Sequence, residues 1–525
     1  MNRKTCSRLL VSAVFVLPLT LCTSFAQDQE QDKDKKEAKA PEKPKTPAPP
    51  KEESSVTEHT IKIGAQAIPY KATAGSILLK NEKDEPTALV YYTAYTRTDT
   101  KDPSVRPVSF LYNGGPGSSS LWLHMGSFGP KRVVTANAGI TPPAPYKIED
   151  NPNCLLDKSD LVFIDPVGTG FSRAVGKAQD KDFWGVDQDA KSIAQFVQSY
   201  ITRNDRWNSP KFLIGESYGT FRNAAVASLL QTENGIYLNG IVMISSVWDL
   251  GTISFYPGQD LAYILYLPSY AATAWYHNVL KDRPDNLEAF IEEARAFAKG
   301  EYANALLKGD NLSDAEKSSV AKKLARFTGL SEDYLIKSNL RVRLGRFQQE
   351  LQLNRGLTTG RLDARFSGPT YDLIDSSASY DPQEAAITGA FVAAFNLYLR
   401  QDLKFGQDRA YHVFADFGNN HWDWHHHAPG EQYFPGSPNV MPDLASAFII
   451  NPKLQVQMED GYYDLATPFF ESEYAVDHLG LPENLQKNIQ HKYYEAGHMM
   501  YLRDEDLGKL KGNVAAFIDS AASRM

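Results

Sequence analysis

The sequence predicts an α/β fold: a mostly parallel central sheet with flanking helices and an inserted helical cap. Three observations predict it. Residues 107–113 (PVSFLYN), 160–165 (DLVFID), 211–216 (KFLIGE) and 240–245 (GIVMIS) are short, continuously apolar runs, the pattern of parallel strands covered on both faces. Helical stretches, notably Val186 to Ile201, lie between them, which argues for right-handed crossovers within one sheet. The strand rhythm stops near Asp249 and returns with LQVQMED at 454–460, and most of the interval reads as helix.

Taken in order, the chain begins with a targeting pattern. Arg3, Lys4 and Arg8 precede an apolar stretch from Leu9 to Leu21, too short for a comfortable membrane span. Ser24-Phe25-Ala26 resembles a cleavage site, so residues 1–26 are expected to be a signal peptide. Cys22 raises a lipoprotein reading, which Leu21 just before it disfavours. Residues 27–56, rich in Lys, Glu, Asp, Pro and Ala, have too little apolar surface to bury and are expected to be a disordered linker. The first part of the core is expected at 57–249, the mainly helical cap at 250–433 and the second part of the core at 434–525. The runs 59–79 and 88–97 alternate and carry β-branched or aromatic residues, as antiparallel strands at a sheet edge do.

Composition narrows the function. The 525 residues carry a formal net charge of -8, against the basic surface of a nucleic-acid binder. Cys6 and Cys22 fall in the expected leader, which leaves Cys154 without a disulfide partner. No later apolar run reaches membrane-spanning length, so the expected location is periplasmic or secreted.

The chemistry centres on KFLIGESYGT, 211–220. Strand, G-x-S-x-G, then helix is the context of a nucleophile elbow, with Ser217 at a turn so tight that its neighbours must be glycines. A serine nucleophile needs a base, and the base needs an orienting acid. In an α/β-hydrolase fold the chain order is Ser, acid, His. Asp464 follows the 454–460 strand, and His498 follows HKYYEAG, so both stand in loops after strands. Asp460 is the rival acid, closer to its strand. An oxyanion needs two backbone N–H donors. Tyr218, after the nucleophile, supplies one, and Gly115 in the loop Asn113-Gly114-Gly115-Pro116-Gly117 supplies the other.

Five motifs then stand in order: NGGPGSSS, DPVGTGFS, GESYG, GYYDLATP and AGHMMY. Together they resemble those of the serine carboxypeptidase family (peptidase family S10), from about residue 85 to the C-terminus. The resemblance implies an α/β-hydrolase fold, a Ser217-Asp464-His498 triad, removal of C-terminal residues from a peptide substrate, and no metal or organic cofactor. It also implies that Glu216, Asn113 and Gly114 bind the substrate's C-terminal carboxylate. Two carboxyl groups held close cannot both ionise cheaply, so one keeps its proton and donates a hydrogen bond. The chain departs from the pattern at Ser118, where a cysteine is usual, and at Ser127, where a second glutamate is usual. An aminopeptidase, esterase or acyltransferase of the same fold is the enzymatic alternative, and a tethered peptide-binding envelope protein is the other.

Two further clusters stand out. His421-Trp422-Asp423-Trp424-His425-His426-His427 lacks the spacing of a helical zinc motif. It reads as a loop from cap to cleft, with Trp422 and Trp424 lining the substrate site. Arg341, Arg343, Arg346 and Arg361 read as solvated charges on cap helices rather than a carboxylate clamp, an alternative that the missing second glutamate keeps in view.

Overall fold

Apolar runs at 108–112, 160–164, 211–216 and 240–244 have every residue buried, which only a sheet covered on both faces permits. The computed structural model in which they lie describes residues 51–429 and 437–523. The expected leader, most of the expected linker and the expected cap boundary at Tyr433 fall outside the described residues. The first described strand begins at Ser54, three residues before the expected start of the core at Thr57.

The main strands are β1 (Ser54–Ile63), β2 (Gln66–Lys80), β3 (Pro86–Arg97), β4 (Val108–Tyr112), β5 (Asp160–Ile164), β6 (Lys211–Glu216), β7 (Gly240–Ile244), β8 (Gln455–Gly461) and β9 (Ile489–Tyr494). Their order across the sheet is β1-β2-β3-β5-β4-β6-β7-β8-β9. β1, β2 and β3 pair antiparallel, β3 meets β5 antiparallel, and every pairing from β5 to β9 is parallel.

Alternation along each strand sends side chains to two different cores. Leu111, Phe212, Ile214, Val242 and Ile244 join one cluster, and Phe110, Leu213, Ile241 and Met243 join the other. Helix α1 (Val186–Arg203) buries Val186, Ala190, Ile193, Val197, Tyr200 and Ile201, a stripe at helical spacing. It packs beside α2 (Tyr218–Thr232), the helix launched from the elbow.

Between β7 and β8 the chain builds α3 (Leu261–Tyr276), α4 (Leu287–Phe297), α5 (Asp314–Thr328) and α6 (Pro382–Gln401), among shorter helices. Residues from α3 to α5 form a third apolar cluster, in which Tyr270 and Phe347 stack with centroids 3.9 Å apart. The same cluster takes in Tyr462, Leu465 and Phe469 from the loop after β8. Helix α6 belongs elsewhere: Phe391, Phe395 and Tyr398 pack into the sheet's own core with Leu121, Trp122 and Phe128. Helix α7 (Met441–Ile450) lies against α2, α8 (Phe469–Asp477) follows β8, and α9 (Asp504–Ala522) covers the face holding Phe212.

Candidate active site

β6 delivers the chain to Ser217 with φ 60° and ψ -131°, a region that a residue with a Cβ rarely occupies. The turn is held from two sides. The Ser217 N–H donates to the Ile244 carbonyl at 2.9 Å, and the Thr220 N–H donates to the Ser217 carbonyl at 2.8 Å. A Cβ on Gly215 would meet the Gly219 carbonyl oxygen at 2.3 Å, which is why the position two before the serine carries no side chain.

The loop after β4 is laid directly on this elbow. A Cβ on Gly114 would lie 2.3 Å from the backbone nitrogen of Tyr218, so the two expected donors, Gly115 and Tyr218, belong to segments in close contact. Asp165 fixes the loop: its Oδ1 accepts from the Ser120 N–H at 2.8 Å and its Oδ2 from the Tyr411 hydroxyl at 2.8 Å. Burial pushes its carboxyl up to about 7, against these two donors.

The expected acid and base are brought together. His498 Nδ1 and Asp464 Oδ2 are 2.7 Å apart. Asp464 is fully buried, and its Oδ1 accepts from the N–H groups of Ala466 at 2.7 Å and Thr467 at 3.0 Å, while Thr467 Oγ1 donates to Oδ2 at 2.8 Å. Burial works against charge on His498, but the Asp464 carboxylate outweighs it and holds the imidazole above its ordinary value. Asp460, the rival acid, instead accepts from Ser472 Oγ at 2.8 Å and stands 3.7 Å from His491.

Ser217 and His498 share a cleft of about 200 Å³ with Asn113, Gly114, Gly115 and Glu216. Trp122, Ile387, Phe414 and Met499 form its apolar walls. Asn113 Nδ2 donates to Glu216 Oε1 at 3.0 Å, and Asn113 Oδ1 accepts from the Leu123 N–H at 3.0 Å. Glu216 Oε2 is buried, and the buried Tyr501 hydroxyl stands beside the carboxyl as a donor. Burial raises the Glu216 carboxyl to about 7, with the nearby His498, the Tyr501 hydroxyl and the Asn113 amide pulling the other way. Ser127 cannot act as a second carboxyl: it is fully buried, and its hydroxyl donates to the Leu123 carbonyl at 2.7 Å.

The sequence reading missed one group. Arg222, on α2, is fully buried; its Nε donates to Asp189 Oδ2 at 2.6 Å and its Nη1 to the Asn113 carbonyl at 2.7 Å. It thereby ties both helices to the loop carrying the expected donors. The available signal was a lone arginine in the otherwise uncharged run from Phe221 to Leu230.

Two expectations need correction. Trp422 and Trp424 do not line the cleft; their rings meet the Tyr218 ring edge-on, at centroid distances of 5.4 and 6.0 Å. Arg341, Arg343 and Arg361 lie on no helix, and Arg361 lines the cleft. Arg341, by contrast, grips Asp260 through two hydrogen bonds of 2.6 and 2.8 Å. With Lys337, Arg343 and Arg346 it lines a larger groove, about 1040 Å³, within the helical insertion. Neither Ser217 nor His498 borders that groove, so the smaller cleft is the candidate site.

The serine carboxypeptidase family model matches residues 65–316. That interval carries the 113–120 loop, the 165–172 turn and the elbow. Among curated proteins, serine carboxypeptidase-like 45 of Arabidopsis thaliana is 27% identical over 210 residues, 38% of this chain and 42% of the relative. Pheromone-processing carboxypeptidase KEX1 of Saccharomyces cerevisiae is 30% identical over 156 residues, 28% of this chain and 20% of the relative. The matches thus span less than half the length of these relatives of the serine carboxypeptidase family. The solved structure of KEX1(delta)P, a prohormone-processing carboxypeptidase from Saccharomyces cerevisiae, superposes with a TM-score of 0.53 at 16% identity, covering 86% of this chain and 92% of that one. The architecture is the α/β-hydrolase fold.

Proposed function

We propose that this chain is a serine-type carboxypeptidase, cleaving peptide bonds near a free C-terminus through an acyl-enzyme. One observation carries the reading: the strained Ser217 and the Asp464-paired His498 open into the same cleft as a buried carboxyl, Glu216, held by Asn113. A hydrolase needs the first two; the third is suited to a substrate carboxylate.

Ser217 Oγ attacks the peptide carbonyl carbon while His498 takes the hydroxyl proton. The oxyanion accepts from the N–H groups of Gly115 and Tyr218. As the C–N bond breaks, His498 hands its proton to the leaving amine. Water then attacks the ester, His498 again takes a proton, and the shortened peptide leaves as the acid. Asp464 keeps the imidazole oriented and stabilises its charged form. Glu216, when protonated, donates to the terminal carboxylate, with Asn113 and Gly114 beside it. The scheme uses no metal or organic cofactor.

We also read the protein as exported, periplasmic or secreted, on the targeting pattern of residues 1–26. Among the described residues no helix is long and apolar enough to cross a membrane.

A fluorophosphonate probe should label the wild type and leave Ser217→Ala unlabelled. That variant should lose about 10⁴-fold or more in kcat with an unchanged melting temperature. A blocked dipeptide with a free carboxylate should be cleaved faster than its amide. Retained turnover in Ser217→Ala would overturn the mechanism, and equal rates on acid and amide would overturn the carboxypeptidase assignment.

A further inference from the structure

The cleft has many apolar walls and few charges. Of the residues lining it, Arg361 alone carries a guanidinium or ammonium. The acidic groups that line it are Glu216 and, at the mouth, the exposed Glu384. Arg361 is exposed, and among the described residues no ion pair engages its guanidinium; its recorded hydrogen bonds are made by its backbone. The neighbouring Arg365 differs: it is buried and clasps Asp363 at 2.6 Å.

The backbone that carries Arg361 is anchored with unusual care for a surface residue. Its N–H donates to Asp381 Oδ2 at 2.6 Å, and the next N–H, of Leu362, donates to the same oxygen at 3.0 Å. Its carbonyl accepts from the Leu465 N–H at 3.0 Å, beside the acid loop, and the Leu362 carbonyl accepts from the His498 N–H at 2.6 Å. A flexible cation is thus mounted on a base tied to both the acid loop and the base loop. Its charge reaches the reacting groups, where it opposes protonation of His498.

We infer that Arg361 is a specificity residue, whose guanidinium takes the terminal carboxylate of the peptide substrate in the Ser217 cleft. This rests on the carboxypeptidase reading and deepens it. A guanidinium suits a carboxylate because its donors form a planar fork that matches the two oxygens. Glu216 and Asn113 then supply hydrogen bonds while Arg361 supplies the compensating charge. The two devices are complementary, since an uncharged donor pair alone leaves the anion's charge unbalanced in an apolar cleft.

The test measures three blocked dipeptides on wild type, Arg361→Gln and Arg361→Lys: one with a neutral final side chain and a free carboxylate, its amide, and an amide ending in aspartate. Arg361→Gln should raise KM for the free acid by about 10–100-fold with little change in kcat, the loss of one charge-assisted hydrogen bond. The preference for acid over amide should narrow by the same factor, and Arg361→Lys should recover part of it. An equal rise in KM on acid and amide would overturn the inference. So would a loss confined to the aspartate amide, which would make Arg361 a reader of side chains. If the wild type itself treats acid and amide alike, the carboxypeptidase reading falls instead. If the wild type discriminates and Arg361→Gln discriminates by an undiminished factor, only the role of Arg361 falls.

Discussion

At the residue scale, the proposed role of Glu216 predicts a pH limit separable from that of the proposed general base, His498. Its carboxyl, raised by burial to about 7, is protonated below that value and able to donate to a substrate carboxylate. Above it, the anion would repel a substrate carboxylate. Under the proposed mechanism, deprotonation of His498 governs acid and amide substrates alike, so the ratio of their kcat/KM values cancels that limb. The ratio should fall as pH rises through about 7 in the wild type and stay flat in Glu216→Gln; a ratio independent of pH in the wild type would remove Glu216 from carboxylate binding. Ser217, Asp464 and His498 were legible because each sits in a short motif at a fixed place relative to a strand. Arg222 with Asp189 was not, because their pairing joins residues 33 apart on two helices. Arg361 was rightly read as an exposed charge but placed on a helix, because charge in a sequence says nothing about which cavity it borders.

At the element scale, the loop from 412 to 427 shows a device that local pattern could not reveal. His426 is wedged between Asp187 Oδ1 at 2.6 Å and Asp443 Oδ2 at 2.7 Å, joining the loop to α1 and α7. Burial opposes its charge, yet the two carboxylates raise it to about 9. At Asp187 burial pulls upward and the His426 contact overcomes it, whereas at Asp443 burial prevails and the carboxyl is raised. The sign follows from the folded value lying above the unfolded 6.5: the stabilisation is fully present below about 6.5 and is lost as pH rises through about 9. Urea titrations at pH 6 and pH 10 should show His426→Ala less stable by about 3 kcal/mol at the lower pH, with the gap closing at the higher. His426 thus pins the loop whose Trp422 and Trp424 rings meet Tyr218 edge-on. Strand positions were far easier to read than this, because a buried parallel strand writes its environment into every residue.

At the scale of the whole molecule, the helical insertion and the loop after β8 share a core rather than merely touching. Tyr462, Leu465 and Phe469, which flank Asp464, pack in the same cluster as α3 to α5. Phe347, fully buried against Tyr270, sits deep in it. Phe347→Ala should cost about 3–5 kcal/mol, and the loss of peptide hydrolysis on heating should track the loss of helical signal in one transition. An early helical transition that leaves hydrolysis intact would show the insertion to be an independent unit. The alternation of strand and helix made the fold class legible from the sequence. Which helices cover the site was not, since α6 has the composition of the insertion but packs with Trp122 and Phe128 in the sheet's own core.

The short strap at 361–364 bears on how such a protein could be re-engineered. Splicing β7 directly to β8 would remove the carbonyl that the His498 N–H donates to, the one that the Leu465 N–H donates to, and the Ala364 N–H that binds the Tyr463 carbonyl. A minimal version of this molecule therefore cannot be made by trimming, and a grafted lid from another protein would work only if it carried a surrogate for these few residues.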